Sequence, residues 1–195
     1  MALAEKNFIR PPSAMPLIQK RTEELNFTMS SDELTGALLA TLAASKPHGN
    51  FLEIGTGTGS GTAWLLQGMS ANSRLISVDN DPQVILAANE ALGHDARLTL
   101  VCEDALSFIK KQTPENFDLI FADSYPGKYV LLEETLSLVR KGGFYIIDDM
   151  LPQSHWPEEH FPRVEKLLKD LANLQGFQAL PLQWSSGLIV FSRVL

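Results

Sequence analysis

The sequence predicts an α/β protein: a doubly wound, mostly parallel seven-stranded sheet with helices on both faces and an antiparallel strand pair at its C-terminal end. Three observations predict it. Short apolar, β-rich runs alternate with longer helical patterns through the middle of the chain; a glycine-rich turn, "GTGTGSG", follows the first of those runs; and the tail carries two strand-like runs separated by "SSG". Repeated strand and helix units imply a parallel sheet covered on both faces. A short link between the last two strands implies antiparallel pairing.

Residues 1–28 carry Pro11, Pro12 and Pro16 among mixed charges and are expected to form an N-terminal arm with one short helix. Residues 29–195 are expected to form the core of a single domain over 1–195. "SSDELTGALLATLAASK" opens that core as a helix, with Ser31 or Asp32 as N-cap and Leu34, Ala37, Leu38 and Leu42 at helical spacing. Strands are expected at 51–54, 75–78, 98–101, 117–122 and 144–148, and helices between them at 61–69, 82–92, 105–111 and 129–140. Several of these helices close near glycine or lysine, as helix ends tend to. A further helix over 162–174 leads into "FQALPLQW" and "GLIVFSRV", the two closing strands.

Composition bounds the function. The chain has 195 residues, 45% of them hydrophobic and 20% charged, which suits one soluble globular domain. Its formal net charge of -7, with lysines and arginines scattered, opposes binding to phosphate backbones, so no nucleic-acid partner is expected. Cys102 is the only cysteine, which rules out an internal disulfide, and it is expected to be a small buried hydrophobe. No apolar run approaches the roughly 18 residues of a membrane span and no secretory pattern opens the chain, so a cytoplasmic protein without membrane contact is expected.

In an open parallel sheet, ligands bind beyond the carboxyl ends of the strands where strand order reverses. The turn from Gly55 to Gly61 lies there, and glycines at 55, 57 and 59 let the backbone approach a ligand closely. The dinucleotide fingerprint needs a further glycine three residues after its second one. Counting from Gly55 puts Ser60 in that place, and counting from Gly57 puts Thr62 there, so neither start fits. The turn also lacks the lysine of a triphosphate-binding loop. What remains suits a ligand without a phosphate. "LISVDNDP" ends a strand with Asp79, placed to accept both hydroxyl hydrogens of a ribose, or to cap the helix from Pro82. "VCEDAL" places Asp104 to accept from an exocyclic amine such as that of adenine, or to cap the helix from Ala105.

Taken in order, these residues resemble the class I S-adenosyl-L-methionine-dependent methyltransferases with their Rossmann-like fold, and within them the small O-methyltransferases of the catechol and caffeoyl-CoA type. "EIGTGTGSGTAWL" resembles their first motif, "LISVDNDP" their ribose-binding strand, "EDAL" their adenine contact and "FDLIFADSYPGKY" their fourth motif. "LVRKGGFYIIDDM" and "GLIVFSR" resemble the strands that follow. The likeness covers 29–149 and resumes at 187. It implies that Gly55, Thr56, Gly57 and Gly59 line the methionine part of the cofactor, with Glu53 reaching its amino group through water. Asp79, with Asn80 beside it, would take the ribose; Glu103, Asp104 and Ala105 would surround the adenine. The backbone near Met29 and Ser30 would reach the cofactor carboxylate, and Asp123 would face the cofactor from the end of its strand.

The resemblance also implies O-methylation of a hydroxyl on a small, aromatic or catechol-like acceptor, with relatives often forming homodimers. In that family a divalent metal, held by two aspartates and an asparagine, binds adjacent hydroxyls and lowers their pKa. Asp123 and Asp148 match the first two ligands, but Asp149 stands where the family has asparagine. Three carboxylates would hold Mg2+ or Ca2+ well and reduce its power to acidify a hydroxyl. Without a metal they would repel, and one would keep a proton and act as acid or base. The catalytic candidates are Asp123 and Lys128; many relatives place a lysine closer to the first ligand, where this chain has Pro126.

Tyr125, Tyr129, Trp156 and Trp184 are candidates for the wall of an acceptor pocket or for core packing, and "LPQSHWPEEHFPR" looks like a lid or substrate loop. His155 and His160 are five apart, the wrong spacing for one helical face, and are not paired as metal ligands. Two other readings stand beside the methyltransferase: a nicotinamide-dependent reductase, and a non-catalytic regulatory protein that binds S-adenosylmethionine.

Overall fold

The computed structural model describes residues 7–153 and 156–194. Helix α1 (Met15–Glu24) lies in the N-terminal arm, and α2 (Glu33–Ala44) opens the core. The Asp32 carboxylate accepts the N–H groups of Leu34 and Thr35, the capping expected for a helix whose first amides have no internal partner. Then follow β1 (Asn50–Ile54), α3 (Ser60–Gly68), β2 (Arg74–Asp79), α4 (Pro82–Leu92), β3 (Leu98–Cys102), α5 (Ala105–Lys110) and β4 (Phe117–Ala122). The chain closes with α6 (Leu132–Leu138), β5 (Val139–Ile147), a 3-10 turn at Glu158–His160, α7 (Phe161–Ala172), β6 (Phe177–Leu182) and β7 (Leu188–Arg193).

The seven strands lie in the order β3-β2-β1-β4-β5-β7-β6. β1 to β5 run parallel, while β7 pairs antiparallel with both β5 and β6. The order reverses between β1 and β4, the two central strands, so their carboxyl ends form the switch point of the sheet. Both strands are buried on two faces, and the alternation of side chains sorts them. Leu52, Ile54, Ile120 and Ala122 pack into one core with Phe108, Tyr145 and Leu167; Phe51, Leu119 and Phe121 pack into the other with Leu39, Leu65 and Ile146. α7 shows the same logic at helical period: Val164, Leu167 and Leu171 are buried on one stripe. Among the described residues, no helix is long and apolar enough to cross a membrane.

Two expectations are corrected. The helix expected over 129–140 is only Leu132–Leu138, because Leu131 takes a left-handed φ of 60° before it, and Val139 is fully buried opposite Phe117 as the start of β5. Cys102 is exposed rather than buried, since it ends β3 at the edge of the sheet, where only the Asp79 side is paired. His155 lies outside the described residues.

α2 and α3 pack closely enough that Gly68 has no room for a side chain: a Cβ there would meet the Ala40 carbonyl oxygen at 2.0 Å. Gly68→Ala is expected to force the two helices apart at a cost of about 3 kcal/mol, lowering Tm by roughly 6–12 °C for a chain of this size. Thermal unfolding followed by circular dichroism checks this, and an unchanged Tm would show that the helices pack less tightly.

Candidate functional site

The turn after β1 builds the floor of the site. Gly55 has φ 103°, and a Cβ on it would meet the Asp123 carbonyl oxygen at 2.5 Å, so only glycine lets the β1 and β4 ends come together here. Gly57 N–H donates to Asp79 Oδ2 at 3.0 Å, tying the turn to the end of β2. Asp79 Oδ1 accepts the Asp81 N–H at 3.0 Å, and each oxygen keeps a lone pair for a ligand hydroxyl. Thr56 and Ser77 share a buried hydrogen bond of 2.7 Å beneath the turn.

Three cavities open at the switch point. The first, of about 390 Å³, is lined by Met29, Ser31, Gly55–Thr58, Ser60, Asp79, Asn80 and Asp123. A small extension of about 80 Å³ shares Gly55, Asp79, Asn80 and Ser124 with it and adds Asp104 and Ala105. The second large cavity, about 550 Å³, shares Met29, Ser30, Ser31, Asp123, Ser124, Tyr125 and Asp149 with the first, and adds Lys128, Tyr129, Asp148, Trp156, His160 and Ser186. A ligand along the first cavity and its extension would thus meet a ligand in the second at Asp123 and Tyr125.

The expected residues divide as follows. Met29, Gly55, Thr56, Gly57, Asp79, Asn80 and Asp123 border the first cavity, and Asp104 and Ala105 its extension. Gly59 is the left-handed N-cap of α3 and shapes the turn from behind. Asp104 also caps α5, accepting the N–H groups of Leu106 and Ser107, so its two readings hold together. Glu103 is turned toward Lys111. Tyr125, Tyr129 and Trp156 border the second cavity, whereas Trp184 packs against the core that holds Phe51, Leu119 and Leu188. Ser31, Ser60 and Ser186 were not expected: Ser31 Oγ donates to Asp123 Oδ2 at 3.3 Å, Ser60 Oγ donates to the Ser31 carbonyl at 3.0 Å, and Ser186 Oγ donates to Asp148 Oδ1. Their only sequence signal is position, at a helix start, a glycine turn and a hairpin loop.

The electrostatics are those of buried carboxylates. Glu53 is fully buried; its Oε2 accepts Ser77 Oγ at 2.5 Å and Thr62 Oγ1, while Oε1 has no partner. Burial pushes its pKa up to about 7 against the opposing hydroxyls. Burial, then the nearby Asp148, holds Asp123 well above the usual carboxylate range. Burial raises Asp148 to about 6, although Ser186 opposes it. Tyr129 is pushed up to about 12 by burial, and His160 is lowered, also by burial, so both face each other neutral with Oη and Nε2 at 3.2 Å. Trp156 packs edge-on against His160 at 4.5 Å, and Tyr125 lies tilted against Tyr129 at 5.1 Å, giving the second cavity a wall of rings.

The metal set that the resemblance implies does not close. Among the described residues, no three His, Cys, Asp or Glu side chains come together as a metal-holding group. Asp148 spends Oδ1 on the Asp149 N–H at 2.7 Å and on Ser186, and the Asp149 side chain is 43% exposed.

A glycine turn and a carboxylate at successive strand ends, on a parallel sheet closed by an antiparallel β7, are the arrangement of the class I methyltransferases. The chain belongs to the family described as "Methyltransferase domain", whose model matches residues 52–150, half of the chain. It is 31% identical over 119 residues to a "Putative O-methyltransferase" of Mycobacterium ulcerans, a match that covers 57% of this chain and 52% of that protein. The match thus spans about half the length of this curated relative. In fold it resembles the O-methyltransferase TomG of Streptomyces achromogenes, solved with S-adenosylmethionine (TM-score 0.82, 19% identity, 96% of this chain and 92% of that one). It likewise resembles a Bacillus cereus O-methyltransferase solved with S-adenosylhomocysteine (TM-score 0.81, 21% identity, 95% and 93%).

Proposed function

We propose that the chain transfers a methyl group from S-adenosylmethionine to a hydroxyl of a small aromatic molecule. The observation that carries this is the shared wall of Asp123, Ser124, Tyr125 and Asp149 between the two large cavities, which brings a donor and an acceptor face to face. The adenine would sit by Asp104 and Ala105, the ribose on Asp79 and Asn80, and the methionine part over Gly55–Gly57, with its ammonium reaching the buried Glu53 only through water. The sulfonium methyl would then point past Asp123 into the second cavity, where Tyr125, Tyr129 and Trp156 suit a planar acceptor.

In the reaction the acceptor oxygen forms a bond to the methyl carbon as the carbon–sulfur bond breaks, leaving a neutral thioether. Alignment is the larger part of the catalysis. The hydroxyl proton goes to Asp123, a carboxylate whose buried setting makes it a stronger base than an exposed one. No step runs through a metal.

Calorimetric titration tests the donor. S-adenosylmethionine and S-adenosylhomocysteine are expected to bind and NADH is not; the reverse result would replace this reading with a nicotinamide-dependent reductase. Asp79→Ala removes two charge-assisted ribose contacts and is expected to weaken S-adenosylhomocysteine by about 2–3 kcal/mol, roughly 30- to 150-fold. Affinity unchanged in that variant would remove Asp79 from the donor site.

A further inference from the structure

We infer that the ammonium of Lys128 is the resident cation of this site, standing where relatives are expected to use a divalent metal; the inference rests on the methyltransferase reading. A lysine is strongly hydrated and is rarely buried without partners. Lys128 is nevertheless only 4% exposed. Its Nζ donates to the Asp148 carbonyl oxygen at 3.0 Å and lies 3.7 Å from Asp149 Oδ2, on the border of the acceptor cavity. The ammonium therefore sits between the two residues that would supply the second and third metal ligands.

The rest of the local structure is arranged around that choice. Asp148 turns one carboxylate oxygen to the Asp149 N–H and Ser186, and Asp149 takes a left-handed φ of 60°, which carries its side chain toward Lys128. Asp149 in place of asparagine adds the negative charge that a buried ammonium needs as counterion. A dication seated among the same carboxylates would face this buried ammonium at close range, where the protein screens the repulsion less than bulk water does. The lysine and a metal are alternatives here. With the ammonium in place, a positive charge borders the acceptor cavity and favours an acceptor oxygen carrying negative charge.

Thermal shift on the full chain tests this, with S-adenosylhomocysteine as a separate arm that reports the donor site alone. Wild type is expected to show no shift with MgCl2, MnCl2 or CaCl2 relative to EDTA. Lys128→Met, which leaves the carboxylates without a counter-charge, is expected to gain a saturable shift with those cations, and Lys128→Arg is not. A saturable one-to-one cation response in wild type overturns the inference, as does a folded Lys128→Met that takes up no cation. Should Lys128→Met not fold, calorimetric titration of wild type with MnCl2 decides alone: no binding heat supports the resident ammonium, and stoichiometric binding overturns it. A failed S-adenosylhomocysteine arm would instead count against the methyltransferase reading.

Discussion

Asp123→Asn is expected to lower turnover by about 10²–10⁴-fold while S-adenosylmethionine affinity changes only a few-fold. The backbone N–H of Asp123 donates to the Ile54 carbonyl at 2.9 Å and its Oδ2 accepts from Ser31, so an isosteric amide keeps the strand end and the cavity wall in place. What the amide lacks is the ability to take the acceptor's proton. Burial and Asp148 both raise the proton affinity of Asp123, and Asp148 itself lies near 6, so the two carboxylates titrate as a coupled pair. The base form is the active one. Turnover in the wild type is therefore expected to fall on acidification at a higher pH than an ordinary exposed carboxylate would impose, because burial and Asp148 raise the proton affinity of Asp123. In Asp123→Asn that limb should be lost together with most of the rate. Radiolabelled methyl transfer to a panel of hydroxylated aromatics, run from pH 5 to 9, measures both. An Asp123→Asn protein that turns over at the wild-type rate would move the base elsewhere.

The lining of the first cavity and its extension was legible from residues 51–104 because it rests on backbone geometry and strand ends, which local sequence specifies. Gly55 must be glycine because Asp123 crosses 2.5 Å from where its Cβ would be, and the carboxylates of Asp79 and Asp104 stand at the ends of β2 and β3, where strand periodicity ends. The second cavity was less legible because it is assembled from segments far apart in the chain. Ser31 reaches Asp123 across 92 positions and Ser186 reaches Asp148 across 38, and neither serine carries a motif. Lys128 was legible as a catalytic candidate only through the resemblance; its burial is a tertiary property, in a loop whose Gly127 carbonyl accepts the Tyr145 hydroxyl at 2.6 Å from a distant strand. The strand start at Val139 was missed for a similar reason. Its pairing with Phe117, rather than the helical pattern of the residues before it, decides the local structure.

Glu53→Gln is expected to flatten the pH dependence of stability and to uncouple donor binding from proton release. Glu53 has an ordinary pKa of 4.5 and is pushed up to about 7 by burial in the fold, so folding takes up a proton between those values. Stability from this group is fully present below pH 4.5 and is lost as pH rises toward 7, a total of about 3 kcal/mol. Glutamine at this position keeps one amide oxygen, whose two lone pairs can accept the hydroxyls of Thr62 and Ser77, and has nothing to titrate. From pH 5 to 8, a window that holds about 2.5 kcal/mol of this linkage, the wild type should therefore lose roughly 5–10 °C of Tm more than Glu53→Gln does. The same group couples to the donor. If S-adenosylmethionine binds in the first cavity as proposed, its ammonium, acting on the buried Glu53 through water, favours the carboxylate, so binding near pH 7 is expected to expel a proton and to strengthen as pH rises. Calorimetry in two buffers of different ionisation enthalpy reads that proton directly, and Glu53→Gln should bind more weakly and release none. A wild type whose Tm follows the variant across this range would show that Glu53 is charged in the free protein, with water or a neighbouring hydroxyl reaching Oε1.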